Sequence, residues 1–245
     1  VWSGWLRNQG LNRLSNAGAL EGLRDISQGH GLDVKPYVLA TTASSPGQGS
    51  PEWTSSREFG GDVFYNPLPS LRTNLTFNTD FAQTEVDQRL VNLTRFPQFF
   101  PEKRDFFLDG STFFDFQSNA SGGNSLLPFF SRRIGLDANG NPQTIDVGAK
   151  LAGQFGRTDV GALYVKTGDE ADDGARGEGF TVLRAKRRLF RQSYIGALFT
   201  QRQGPAILTT RTMGVDFTMA TSTFLGTRNL SVGGFGVNTN GARAL

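Results

Sequence analysis

The chain has 245 residues, 31 Gly, 10 Pro and 37% hydrophobic residues, a balance that suits turn-rich β structure better than a helical bundle. It has no Cys, which excludes disulfide scaffolds and thiolate metal sites, and a single His, His30, in a Gly-rich QGHG stretch. A formal charge of +3 is too small and too dispersed for a nucleic-acid-binding surface; the nearest basic run is RAKRRLFR, 184–191.

In chain order, LEGLRDISQGHGLDVKPYVLA (20–40) leads into weak strand candidates near 33–43 and 57–65. LRTNLTFNTDFA (71–82) alternates cleanly: Leu71, Leu75, Phe77 and Phe81 share one face with Thr73 and Thr79, and Arg72, Asn74, Thr76, Asn78 and Asp80 share the other. The next piece breaks the pattern. Eight of the 21 Phe fall between Phe96 and Phe116, among Pro101, Glu102, Lys103, Arg104 and Asp105, with neither a strand's alternation nor a helix's stripe. A weak strand candidate follows at 128–136, then a clear one at 144–155 with Ile145, Val147, Ala149, Leu151 and Phe155 against Asp146, Lys150 and Gln154. Further on, Leu163 and Val165 oppose Tyr164 and Lys166, and Leu183 and Ala185 oppose Arg184 and Lys186. Ile195, Ala197 and Phe199 oppose Tyr194, Thr200 and Arg202; Met213, Val215, Phe217 and Met219 oppose Thr212, Asp216 and Thr218; a weak candidate closes the series at 228–238.

Strands of roughly nine to twelve residues match what a tilted strand needs to cross a bilayer. Connections vary from short, at Gly156–Thr158, to long and polar, at GDEADDGARGEG (168–179), as in outer-membrane barrels. In such a barrel the apolar face meets lipid and the charged face lines the interior; a soluble sandwich tolerates the same alternation, with the apolar faces meeting in a shared core. No apolar run approaches the 18 or more residues of a transmembrane helix.

Candidate chemistry is sparse. The carboxylate pairs Glu85/Asp87 and Glu102/Asp105 have the residue types of glycosidases, but Lys103 and Arg104 beside Glu102 favour ion pairing over a raised acid pKa. LDANGNPQTID (136–146) offers Asp137, Asn139 and Asn141 in a partial calcium-loop pattern, and reads better as an Asn-Gly hairpin turn. Asp169, Glu170, Asp172 and Asp173 read as a solvated acidic loop, and Asn74, Asn92 and Asn119 begin formal sequons. No catalytic residue, cofactor or metal site is expected.

The runs NTDFAQTEVDQRLVNLTRFPQFFPEKRDFFLDG (78–110), FFSRRIGL (129–136) and VGAKLAGQFG (147–156) closely resemble a bacterial family of unknown function. The resemblance implies an outer-membrane β-barrel, usually placed after an N-terminal carbohydrate-binding module of family nine. It divides the chain into the tail of a preceding module and linker (1–32) and a barrel domain (33–245). The terminal NGARAL lacks the aromatic residue typical of a last barrel strand, so the expectation is an incomplete barrel of about ten strands. It also implies outer-membrane lipid as a partner, and a polysaccharide or oligosaccharide bound through the module that precedes it.

The expected fold is therefore an all-β, antiparallel transmembrane β-barrel with a Phe-rich non-strand insertion, 83–127, folded into the lumen as a plug. The plug motif comprises Asn92, Arg95, Phe96, Phe99, Phe100, Pro101, Glu102, Lys103, Arg104, Asp105, Phe106 and Phe107. Facing it from the wall would be Arg72, Asp80, Arg132, Arg133, Lys150, Lys166, Arg184, Lys186 and Arg202. The rival is an external loop with its own aromatic cluster. The expected function is a conduit or surface anchor linked to carbohydrate binding or uptake. The alternatives are a soluble all-β carbohydrate-active enzyme or lectin-like module that uses Glu85, Asp87 or Glu102, and a structural barrel that displays its N-terminal module.

Overall fold

The computed structural model describes residues 22, 31–45, 52–79, 102–116, 127–136, 143–169, 176–205, 207–226 and 228–241. They form one antiparallel sheet of nine strands in sequential order. The strands are β1 (Leu32–Ser45), β2 (Glu52–Leu68), β3 (Leu71–Thr79), β4 (Ile145–Phe155), β5 (Thr158–Thr167), β6 (Gly179–Arg188), β7 (Tyr194–Gly204), β8 (Ile207–Phe224) and β9 (Arg228–Asn240). The sheet is not closed; β1 and β9 are its edges. No second sheet faces it among the described residues, so the apolar faces do not meet in a sandwich core.

Nine strands are found among the described residues, where about ten were expected for the chain. One expectation about elements is corrected: 128–136 is not a strand. Instead that stretch contains a 3-10 turn at Ser131–Arg133, and β3 pairs directly with β4. Its apolar residues alternate over too short a run to distinguish a strand from a turn that buries Ile134. With that strand gone, the connections sort themselves by end. β1–β2, β3–β4, β5–β6 and β7–β8 are joined at one end of the sheet; β2–β3, β4–β5, β6–β7 and β8–β9 are joined at the other, where no more than five residues separate consecutive strands.

The hairpins are staggered in one direction. Leu71, at the start of β3, is level with Gly153, two residues before β4 ends. Farther along, Tyr194 at the start of β7 is level with Thr218, while β8 runs on to Phe224. A cumulative offset of this kind is what tilted strands in a curling sheet require.

The segment 102–116 lies against one face of the sheet, here the covered face. It carries a single-turn helix, α1 (Asp105–Leu108), and a 3-10 turn at Ser111–Phe114. The core sits between this segment and the sheet: Phe106, Phe107, Phe114 and Phe116 pack with Ile134, Ile145, Ala152, Leu163, Val165, Val182 and Leu198.

Candidate functional site: the covered face and its Phe-rich segment

The two faces of the sheet are inverted relative to a water-soluble protein. On the covered face Asn74 is 0% exposed, Lys150 and Arg184 3% and Asp216 1%. On the open face Val38 is 82% exposed, Phe59 67%, Phe77 53%, Leu183 48%, Met213 60% and Val215 59%. Exposed large apolar side chains occur on the open face of every strand, whereas soluble monomers rarely expose contiguous apolar patches larger than a few hundred Å².

Glycines on the covered face make room for the segment's aromatic rings. A methyl group on Gly148 would stand 2.9 Å from Phe106 Cζ, one on Gly161 2.9 Å from Phe114 Cε1, and one on Gly214 2.9 Å from Phe116 Cε2. Each ring lies where a side chain would otherwise be, so backbone and ring meet directly. Gly196 does the same for a polar pair: Arg184 and Asp216 join above it through two hydrogen bonds of 2.6 and 2.8 Å, their side chains 1% and 0% exposed.

Polar contacts anchor the segment at three points. Lys150 Nζ donates to the carbonyls of Phe106 and Asp109, in and just beyond α1, where carbonyls are left unpaired by the helix. Asp109 accepts from Arg72 Nη1 at 2.5 Å and from Asn74 Nδ2 at 2.8 Å. Burial alone raises the Asp109 carboxyl, but those hydrogen bonds and the charges of Arg72 and Lys150 hold it below the ordinary range. Arg184 Nε donates to the Asp115 carbonyl at 3.1 Å, and its guanidinium lies 5.4 Å from the Phe116 ring centroid. The Asp115 side chain moves the other way: burial pushes its carboxyl up against the opposing charges of Lys186 and Arg184.

A fourth knot ties the two ends of the described connection together. Glu102 accepts two hydrogen bonds of 2.7 Å from Arg104 and one of 2.7 Å from Ser131 Oγ. Arg104 donates in turn to the carbonyls of Ile134 and Ser131 at 2.8 and 2.9 Å and lies 4.0 Å from the Phe107 ring centroid. Burial would raise the Glu102 carboxyl, but the bonds and charge of Arg104 and the Ser131 hydroxyl hold it low. It is thus engaged as an ion-pairing group. Between the segment and the 127–131 turn is a cavity of about 430 Å³, lined by Phe107, Phe114, Phe116, Phe129, Lys150 and Leu163 among others.

The family comparison covers this site. The family model described as a domain of unknown function, DUF5916, matches residues 30–158, from the start of β1 to the start of β5. The chain belongs to this family. No curated protein and no solved structure matches the chain. In this DUF5916 chain the match includes α1, the Glu102–Arg104 knot, Lys150 and its partners, while Arg184 and Asp216 lie beyond it.

Of the expected wall residues, Arg72, Lys150, Arg184, Lys186 and Arg202 occupy the covered face, in register with one another across β3, β4, β6 and β7. Lys166 does not. Leu163 is opposite Lys150 and Val165 opposite Gly148, so the β5 phase is reversed: Leu163 and Val165 are covered, whereas Tyr164 and Lys166 project from the open face. A β-bulge between Ile145 and Val147 also separates these two, burying Ile145 while Val147 stays on the open face. Arg132 and Arg133 lie in the 3-10 turn of the long connection instead of on a strand. Asp105 opens α1, and Lys103 precedes Arg104 in the knot. Asp80, Asn92, Arg95, Phe96, Phe99, Phe100 and Pro101 lie outside the described residues, as do His30, Glu85, Asp87, Asn119, Asp137, Asn139, Asn141, Glu170, Asp172 and Asp173.

The cations of the covered face have partners. Lys186 Nζ is 3.8 Å from Asp159, and Arg202 bonds Glu178 at 2.6 and 2.8 Å. Sequence reasoning missed those acids, and it missed the ring-seating glycines, although their parity gave a signal. Gly148, Gly161, Gly196 and Gly214 are all mid-strand, where glycine weakens a sheet unless another group needs the space.

Proposed function

We infer that this chain forms the wall of a bacterial outer-membrane β-barrel whose Phe-rich segment occupies the interior as a plug, and that the barrel serves chiefly as a surface anchor. One observation carries the reading: charged side chains are buried under the segment on one face while large apolar side chains stand uncovered on the other. Lipid accounts for the second face at no desolvation cost, and a charged residue at its midplane would cost roughly 2–4 kcal/mol. One-sided stagger and short connections at one end support the same architecture.

The anchor reading is preferred to an anion conduit because Arg184, Lys186 and Arg202 each face a carboxylate and Lys150 is engaged by backbone carbonyls. Their charge is spent locally, which weakens any focused potential for anions. What the anchor holds at the surface would be the carbohydrate-binding module suggested by the family resemblance. A conduit is the second reading, favoured by the aromatic-lined cavity beside Lys150, which would admit a small polar solute once the segment shifts.

The chain has no Cys, so single cysteines placed in it carry no background from the chain itself. In membranes holding the full-length protein, L75C, L183C and V215C should be quenched by lipid-borne nitroxides when labelled with a fluorophore. V182C and L198C should not. Recovery of the protein in the aqueous phase without detergent, or equal quenching of both sets, would defeat the barrel reading. Planar-bilayer recordings would show little conductance for the anchor and steady ion flow for an open conduit.

A further inference from the structure

We propose that the open face carries a row of cations, Arg57, Lys166 and Arg211, that binds the phosphate headgroups of membrane lipid at the rim bearing the long connections. The inference rests on the barrel reading and adds a partner chemistry to it. Following the open-face parity from β1 to β9, and setting aside the bulge at Asp146, the charged residues met among the described ones are Arg57, Lys166, Arg187, Arg211 and Arg228; none is acidic. All five are exposed. Arg187 and Arg228 are near the short-turn ends of β6 and β9, and the other three are toward the opposite end of their strands.

Their heights agree once the stagger is taken into account. Gly61 is level with Phe77, Phe77 with Val147, and Val147 with Lys166, so Arg57 stands four residues beyond the level of Lys166. Lys166 is level with Gly179 and Gly179 with Gln203, while Arg211 pairs with Gln201, two residues short of that level. From β2 to β5 to β8 the row therefore steps in the direction in which the hairpins are offset. Within their own strands Arg57 lies eleven residues from Leu68, Lys166 eight from Thr158 and Arg211 thirteen from Phe224. Roughly ten residues at about 3.3 Å each, tilted by about 40°, rise about 25 Å, the height of an apolar barrel belt.

Aromatic rings lie just inside the row. Phe59 is two residues inward of Arg57 and Tyr164 two inward of Lys166; Phe77 is beside Phe59, with ring centroids 6.4 Å apart. Girdles of aromatic rings mark the interface level of outer-membrane barrels, and Tyr164 brings a hydroxyl to that level. Three cations without a neighbouring acid on the same face provide charge-assisted donors for phosphate oxygens. Arg211 also donates to Gln201 at 3.0 Å, which fixes its guanidinium over the β7–β8 edge of the row.

The test uses the full chain reconstituted in zwitterionic phospholipid vesicles with a trace of spin-labelled lipid, either phosphatidic acid or phosphatidylcholine. Electron paramagnetic resonance reads the motionally restricted lipid in contact with the protein. Wild type should select phosphatidic acid over phosphatidylcholine by several-fold, and the triple variant R57Q/K166Q/R211Q should fall towards no selection. It should nevertheless retain the restricted phosphatidylcholine signal, which shows that it is still inserted. Should that variant fail to insert, a salt series on wild type serves instead, since selectivity through surface cations must fall as ionic strength rises. Equal affinity of wild type for both lipids, selectivity retained by the triple variant, or selectivity unmoved by salt would overturn the cation row and leave the barrel intact. The absence of any restricted lipid around wild type would overturn the barrel itself.

Discussion

Replacing Asp216 with Asn tests whether the covered face is sealed from water. Asp216→Asn keeps the shape and one acceptor but removes the negative charge that faces Arg184 at 2.6 and 2.8 Å. The Arg184 side chain is 1% exposed and cannot turn to solvent, so its guanidinium would be left buried without the counter-charge of Asp216. Such losses cost about 3–5 kcal/mol, against the 0–1 kcal/mol typical of a surface pair. The effect should also reach the segment, because Arg184 holds the Asp115 carbonyl and faces the Phe116 ring. Denaturant unfolding of the reconstituted protein gives the energy, and limited proteolysis between 102 and 116 gives the release of the segment. The double replacement R184M/D216L should regain most of the loss, since an apolar pair of similar volume removes both desolvation penalties. A cost below about 1 kcal/mol for D216N, or a double variant no better than the single, would mean that water reaches the pair and that the covered face is wet.

Three further outcomes follow from the same contacts. The Glu102 and Asp109 carboxyls are held below their ordinary values, so their contribution to attachment is complete above the unfolded carboxylate range, roughly pH 4, and is lost as pH falls through the lowered folded values; protease sensitivity of the segment should rise only in strong acid. Asp115 has the opposite sign, its folded carboxyl being raised, so stability is lost as pH rises through that value; D115N should be neutral or slightly stabilising at pH 7, and a marked loss there would contradict it. Gly161→Leu drives a side chain into the Phe114 ring at 2.9 Å from its first carbon, and should cost about 1–3 kcal/mol and loosen the segment, whereas a shortened partner in G161A/F114A should relieve the clash. Thermal or denaturant unfolding of the three proteins measures it.

How far the sequence could be read depended on whether each face had a distinct chemistry. β3 was legible because Arg72, Asn74 and Thr76 contrast with Leu75 and Phe77 over the whole strand. β6, β7 and β8 were legible for the same reason. β5 was not: its covered face is apolar where Leu163 and Val165 meet the Phe cluster, so hydrophobicity marks both sides and the usual rule picks the wrong one. The remaining clue was Lys166, which suggests an interior cation unless its position one residue from the strand end is weighed. That the segment's Phe residues would pack against side chains of the strands could be inferred from its mixture of Phe and charge, but their seats could not. Gly148, Gly161 and Gly214 sit on three different strands, and only the registers from β4 to β8 show that they share the covered face.

The pairing of rings with glycines bears on why the segment stays in place without a long helix or strand of its own. α1 has four residues, too few to be stable alone, and neither it nor the following 3-10 turn has a side-chain cap at its N-terminus. The sheet supplies what the segment lacks: Lys150 caps the carbonyl end, Arg72 and Asn74 fix Asp109, and the glycines give the rings flat seats against backbone. The dependence runs both ways. Arg184 and Lys150 could not stay charged and buried against an empty face, because an unpaired ion in a dry site is strongly disfavoured, so the segment's carbonyls are part of what allows the wall to be polar. A sheet with an apolar open face and a charged covered face, and a chain segment rich in Phe and backbone carbonyls, should therefore unfold together. Removing either should destabilise the other.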